Sequence, residues 1–520
     1  MRTVFLILFV LFGLGACNVP QKDKGTSGMK SGLMSEQWRP QIHFTPKAQW
    51  MNDPNGMVYH DGEYHLFYQY HPNSNVWGPM HWGHAISEDL IHWEHLPIGL
   101  YPDSLGTIFS GSAVADVDNT SGFGKNGKTP LVAVYTNHSH EKESEGRIDY
   151  QTQSIAYSLD NGRTWTKYEK NPVLDNPGIR DFRDPKVRWH EPTQKWIMTL
   201  AVKDRVSFYS SPDLKEWTFE SSFAQDEEHN GVVECPDLFP LNYNGQEKWV
   251  LFISLNPGFL HGGSGTKYYI GEFDGKEFIP DDPNAPTHWF DYGKDNYAGV
   301  TWSNIPEEDG RTLFIGWMSN WQYATVVPTE QWRSAMTLPR SLELVEGAGG
   351  KPVLKGEVVN TIENIAGDWQ EKSDLPVAAA EAGTLEFSFE EDAAYQLSLE
   401  FDIQMDATAT IDLYNEAGDS IFITLDKNRE LVVFDRIDSG ETTFNENFPG
   451  KYDAPVAFEG PVKVDLYVDQ SSVEMFINGG KVQMTNLVFP ETLLTGVEIY
   501  GSGDSQLITA KARVLNSIWK

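Results

Sequence analysis

The chain has 520 residues, with 40 Lys and Arg against 74 Asp and Glu, a net charge of −34. That length exceeds one ordinary hydrophobic core and calls for two folded domains, while a surface this acidic excludes nucleic acid and other anionic polymers as partners. Neutral ligands stay open. The aromatic content of 13%, with 17 Trp, suits a carbohydrate-handling protein, although a large β-protein buries many Trp in any case.

Arg2 precedes an apolar run from Val4 to Ala16, too short to cross a bilayer as a stable helix and built like a secretory signal. The run ends Leu14-Gly15-Ala16-Cys17, which resembles a bacterial lipobox. Residues 1–17 are therefore expected to be a lipoprotein signal with Cys17 as the lipidated residue. The polar stretch 18–37 reads as a flexible tether. With Cys17 acylated only Cys235 remains, so no intrachain disulfide is expected. The expected location is a bacterial membrane surface, facing the periplasm or the exterior. Nothing in the pattern defines an oligomeric state.

Residues 38–345 repeat one pattern five times: an apolar strand, a polar turn, and a second strongly apolar strand. The first strands run through Gly56-Met57-Val58-Tyr59, Ser112-Ala113-Val114-Ala115, Pro185-Lys186-Val187-Arg188-Trp189, Leu238-Phe239-Pro240-Leu241 and Ala298-Gly299-Val300-Thr301-Trp302. After three of the hairpins comes a turn with a Ser, an Asp and a closing Trp: Ser87 to Trp93, Ser158 to Trp165 and Ser211 to Trp217. Such turns suit an outer hairpin. Five radial sheets predict a five-bladed β-propeller in an all-β chain, with each first strand lining the axis. Residues 346–383 read as an inter-domain linker. From 384 to 520 the chain alternates with the period of half-buried strands, as in Leu385-Glu386-Phe387-Ser388-Phe389 and Val462-Lys463-Val464-Asp465-Leu466, which predicts a C-terminal β-sandwich.

Three acidic islands open first strands: Trp50-Met51-Asn52-Asp53-Pro54-Asn55-Gly56, Phe182-Arg183-Asp184-Pro185 and Glu234-Cys235-Pro236-Asp237. In a propeller the heads of all first strands surround one funnel, so Asp53, Asp184 and Glu234 are expected to converge. Two facing carboxyl groups are the minimum for splitting a glycosidic bond, and about 5 Å between them permits a retaining displacement. A lone acidic residue more often caps a turn or pairs on the surface. Three in one repeated position do not fit that reading.

These islands, with Phe109-Ser110-Gly111-Ser112, Trp77-Gly78-Pro79-Met80-His81-Trp82-Gly83-His84, Gly316-Trp317-Met318-Ser319-Asn320-Trp321 and Val468-Asp469-Gln470-Ser471-Ser472-Val473-Glu474-Met475-Phe476, resemble glycoside hydrolase family 32, the β-fructofuranosidases. The resemblance covers residues 38–520 and implies a five-bladed propeller joined to a β-sandwich. It implies Asp53 as nucleophile, Glu234 as general acid and base, and Asp184 as stabiliser of the transition state. It also implies Asn52, Gln69, Trp77, Ser110 and Arg183 around the terminal fructosyl unit, with Trp317 and Trp321 as rim or platform residues, although a Trp at a strand end is often packing. Arg183 is placed to keep Asp184 ionised. Cys235 has no dedicated His base and reads as packing beside the acid.

The runs Asp291 to Ala298 and Gly316 to Ala324 look most like levanases and exo-inulinases. The implied activity is a retaining exo-hydrolase releasing fructose from the ends of levan- or inulin-type β-fructans, with some action on sucrose. A sucrose-preferring invertase and an endo-levanase are the alternatives within the family. A fructan-binding lipoprotein and a propeller scaffold are the alternatives outside it. His residues crowd between His43 and His95, but His81 with His84 and His92 with His95 are three apart, a spacing that splits them between strand faces. No metal and no cofactor are expected.

Overall fold

Short strands that are apolar on both faces need cover on both sides, and the five hairpins find it by stacking blade against blade. The computed structural model describes residues 34–519 apart from 225–230, 285, 377–382, 388 and 390–392. The expected signal, Cys17 and most of the tether lie outside the described residues. All five hairpins form as antiparallel pairs: Gln49–His60 with Glu63–His71, Thr107–Ala115 with Leu131–His138, Phe182–His190 with Lys195–Val202, Val232–Tyr243 with Gln246–Asn256, and Tyr297–Thr301 with Thr312–Met318. Each grows outward into a sheet of four or five strands. The five first strands touch one another in a closed cycle, the last against the first, and that cycle is the axis of a five-bladed β-propeller.

The ring is sealed by Trp332–Arg333, which pairs in parallel with Gln49 and Trp50 of the first blade. Between the first two blades Phe67, Trp82, Ile108 and Tyr135 are fully buried, with Phe67 and Ile108 each contributing about 1.5–3 kcal/mol by leaving water. Gly56 shows how tight this layer is. Its φ is +52, and a Cβ there would lie 2.7 Å from both Phe67 and Trp82. The Ser-Asp-Trp turns join third to fourth strands. In all three the Ser hydroxyl reaches the Asp two residues on, at 2.7–3.3 Å, so each turn is locked by its own side chains.

The segment expected to link the domains is structured over 346–376. Gly347 to Lys351 is a hairpin turn, closed by a 2.8 Å bond from Gly347 N to Lys351 O, with Gly349 and Gly350 at φ +70 and +75. It joins Arg340–Glu346 to Pro352–Val358, and both strands belong to the fifth blade. Gln370–Pro376 then pairs with Ser505–Leu515 inside the second domain. That domain is two six-stranded sheets, a β-sandwich whose core alternates as read: Ile421, Ile423 and Leu425 are buried and the residues between them are not. Leu385 to Phe387 departs from its strand pattern. Leu385 is buried and its N–H bonds Val497 O at 2.8 Å, but the stretch does not join a sheet.

Sandwich and propeller meet through buried charge. Arg340, fully buried, donates to Asp291 Oδ2 at 3.0 Å and to Glu474 Oε2 at 2.5 Å. Arg436 donates to Asp295 Oδ2 at 2.6 Å. His43 lies between Asp469 Oδ2 and Glu474 Oε1, each 2.8 Å away. The late motif around Asp469 and Glu474 is therefore a clamp between domains. The run from Asp291 to Ala298, read as a mark of substrate type, spends both of its Asp residues on the same interface. Gly293 allows the close approach, since a Cβ there would stand 2.2 Å from the backbone of Thr485.

Candidate active site

Each first strand breaks register near its start, where two residues face one on the neighbouring strand. The breaks fall at Asn52/Pro54, between Ile108 and Gly111, opposite Thr199/Ala201, at Glu234/Asp237 and at Tyr297/Val300. Such bulges bend a strand and re-aim its side chains. They leave Asp53, Ser110, Asp184, Cys235 and Ala298 out of regular pairing. Asp184, Cys235 and Ala298 take φ values of +63, +41 and +54, a region that non-glycine residues rarely enter.

The result is one cluster to which all five blades contribute. Ser110 Oγ donates to Asp53 Oδ2 at 2.6 Å. The thiol of Cys235 lies 3.6 Å from Asp53 Oδ2 and 3.7 Å from Asp184 Oδ2, so those oxygens are no farther apart than the two distances laid end to end. Asp184 Oδ2 also accepts the backbone N–H of Cys235 at 3.0 Å. Arg183 Nη2 donates to Glu234 Oε1 at 3.0 Å, and its Nη1 donates to Asp181 at 2.6 Å. The hydroxyl of Tyr297 donates to Glu234 Oε2. The convergence of Asp53, Asp184 and Glu234 expected from their strand positions is present.

Burial dominates the electrostatics. It raises the Asp53 carboxyl above the usual range against the hydrogen bond from Ser110, and the charge of Glu234 adds to the rise. Asp53 Oδ1 is buried with no hydrogen-bond partner among the described residues, while Oδ2 is held by Ser110. Asp184 is pushed up to about 7, chiefly by burial, with Glu234 and Asp53 adding and Arg183 opposing. Arg183 acts on Asp184 in the expected direction from 3.8 Å, but burial outweighs it, and the guanidinium makes its shorter contacts to Asp181 and Glu234. Cys235 is raised well above its normal value by burial and by the three carboxylates. It stays a thiol between two acids, which leaves it no role as a nucleophile.

The remaining predicted residues divide into lining and support. Asn52, Gln69 and Ser110 are buried. Trp50 Nε1 donates to Asn52 Oδ1 at 2.7 Å, and Gln69 Nε2 donates to Asn55 Oδ1 at 2.7 Å and Ile108 O at 3.0 Å. Trp77 is 39% exposed and stands edge-on to Phe109, the position of a rim residue. Trp321 is partly exposed and stacks on Trp50 at 5.9 Å. Trp317, expected at the rim with it, has no exposed surface and packs between Trp321 and Tyr297. Tyr297 is the functional contact that sequence reasoning missed. Its signal was its place at the head of the fifth strand, where the other islands carry acids.

Ligand-type atoms of His138, His140 and Glu143 lie within 4.8 Å of one another. Their hydrogen bonds suit neutral imidazole better than a metal. Gln151 Oε1 accepts Phe182 N–H at 2.8 Å, so its amide nitrogen faces His138 Nδ1 at 3.2 Å and leaves Nε2–H for Glu143 at 3.0 Å. A metal on Nε2 would need the opposite tautomer. Burial, the largest influence, brings His138 down to about 4.

Carboxyl groups gathered where the heads of five propeller strands meet are the equipment of a glycosidase. Comparison with known proteins agrees. The Glycosyl hydrolases family 32 N-terminal domain matches residues 43–355, and the family 32 C-terminal domain matches 362–515. A levanase of Bacillus subtilis (strain 168) is 47% identical over 498 residues, covering 94% of this chain and 72% of that protein. An extracellular exo-inulinase of Aspergillus awamori is 40% identical over 490 residues, covering 88% and 90%. The crystal structure of exo-inulinase from Aspergillus awamori superposes with a TM-score of 0.85 at 36% identity, over 94% of this chain and 100% of that one. A β-fructofuranosidase from Schwanniomyces occidentalis complexed with fructosyl-erythritol gives 0.83 at 33% identity, over 94% and 99%. The chain belongs to glycoside hydrolase family 32.

Proposed function

We propose that the chain is a retaining exo-hydrolase that releases fructose from the ends of levan- or inulin-type β-fructans, acts also on sucrose, and is carried on a membrane surface by an acylated Cys17. Asp53 is the nucleophile. Ser110 fixes one of its oxygens and leaves the other without a partner, so one oxygen is positioned and one is free to attack the anomeric carbon. Glu234 protonates the leaving oxygen and then takes the proton of the attacking water, its two oxygens held by Arg183 and Tyr297. Asp184 takes fructosyl hydroxyls and steadies the oxocarbenium-like transition state. The observation that carries this reading is the single cluster of the three acids through Cys235 and Arg183. Kinship with a levanase and exo-inulinases supports the substrate class.

The test is a time course on levan, inulin and sucrose with washed membranes from cells making the full chain or its Cys17→Ser variant. Free fructose should be the product from the first time point, and the Cys17→Ser activity should move to the soluble fraction. An early ladder of fructo-oligosaccharides would overturn exo action. Activity that stays on the membranes in Cys17→Ser would overturn the anchor.

A further inference from the structure

We propose that a groove on the outer part of the third blade holds the fructan chain whose end is cut in the funnel, a reading that rests on the activity proposed above. The groove has a volume of about 580 Å³, within the range of roughly 300–1,000 Å³ typical of ligand sites. It lies between the outer strands Arg205–Ser211 and Thr218–Ala224 of that blade and the segment 174–179 that ends the second. Tyr209, Trp217 and Phe219 share it. Phe219 is 55% exposed and stands edge-on to Tyr209 at 5.5 Å, and Trp217 is fixed by a 3.2 Å bond from Nε1 to Leu214 O. A single exposed aromatic residue is ordinary on a protein surface. Exposed Phe219 and half-buried Trp217, backed by buried Tyr209, offer the flat apolar faces on which sugar rings pack.

Charge narrows the occupant. The charged residues of the lining are Asp175 and Asp204 against Lys203 and Arg205, and Arg205 Nε already donates to Asp204 Oδ1 at 2.9 Å. They cancel, so the groove offers no net attraction to an ion and suits an uncharged polymer. Its inner end is tied to the catalytic cluster through hydrogen bonds. Lys203 N donates to Asp181 O at 2.7 Å, Asp181 accepts from Arg183, and Arg183 holds Glu234. In this proposal the polymer runs out past Arg183 to Lys203, the lining residue on that side of the groove, and the groove takes sugar units beyond the two that a disaccharide supplies.

The experiment compares the full chain with Phe219→Ala and Phe219→Trp, on sucrose and on the fructan that the unaltered enzyme cuts faster. Loss of the exposed ring should raise KM for the polymer about three- to tenfold, the scale of one aromatic contact, while kcat and the kinetics on sucrose stay unchanged. Phe219→Trp should restore the polymer KM. An unchanged polymer KM in Phe219→Ala, or a parallel loss on sucrose, overturns the groove. The unaltered enzyme is assayed first, and failure on both substrates would overturn the activity itself and the groove with it.

Discussion

His43 offers the most direct measurement of how the two domains are held. Both of its ring nitrogens face carboxylates, Asp469 and Glu474, with no exposed surface on any of the three side chains. Two donated hydrogen bonds require the imidazolium. Burial opposes that charge, yet the two carboxylates outweigh it and carry His43 from 6.5 to about 9. A group raised in the folded state contributes stability that is complete below its unfolded value and is lost as pH climbs through its folded value. The window is therefore pH 6.5 to about 9, and the shift corresponds to about 3 kcal/mol. Unfolding entropy of about 2.1 cal/mol/K per residue makes 1 kcal/mol worth about 1 °C in a chain of 520 residues. The variant His43→Gln, followed by thermal unfolding at one scan rate, should melt below the unaltered enzyme at pH 6, and about 3 °C of that gap should close by pH 10. A gap that stays constant from pH 6 to 10 would refute the buried imidazolium.

Two further substitutions probe the funnel. Asp184 is ionised at alkaline pH against an environment that holds it protonated up to about 7, so folding loses stability as pH rises from 3.8 toward that value. Asp184→Asn should therefore melt above the unaltered enzyme at pH 8, by on the order of a few kcal/mol in stability, while hydrolysing fructan orders of magnitude more slowly; equal melting points at pH 8 would contradict the shift. Tyr297→Phe removes one hydrogen bond to an ionisable oxygen, worth about 1.5–3 kcal/mol. Its kcat/KM on sucrose should fall roughly ten- to a hundredfold, and a loss under twofold would show that Tyr297 does not support Glu234.

The propeller was legible because each blade repeats a local pattern that only stacked sheets can satisfy. The three acids were legible because each sits within two residues of a Pro at the start of such a strand. Where the reading slipped, the deciding contact was remote along the chain. Gly347 to Lys351 has the composition of a linker, and only pairing with Pro352–Val358 makes it a hairpin. Trp317 ends a strand as a rim residue would, and only its neighbours Trp321 and Tyr297 bury it. Asp291 and Asp295 stand close to the funnel in sequence, but Arg340 and Arg436 claim them. Tyr297 escaped notice because one Tyr at a strand head carries no pattern until Glu234 is opposite.

The register breaks explain why acids at strand heads can form a site at all. In a regular strand consecutive side chains point to opposite faces, so Arg183 and Asp184 would diverge. Here both reach the same island, Arg183 to Glu234 and Asp184 to the backbone N–H of Cys235. The bulge opposite Leu200 and the φ of +63 at Asp184 make that turn. Left-handed backbone at a non-glycine residue costs about 1–3 kcal/mol, and it recurs at Cys235 and Ala298. That repeated cost is met by the packed blades on either side, whose sheets hold each first strand in place below the break. Rigid blades and irregular strand heads are thus two parts of one device: the sheets fix the axis, and the breaks bring side chains of five strands into a single cluster.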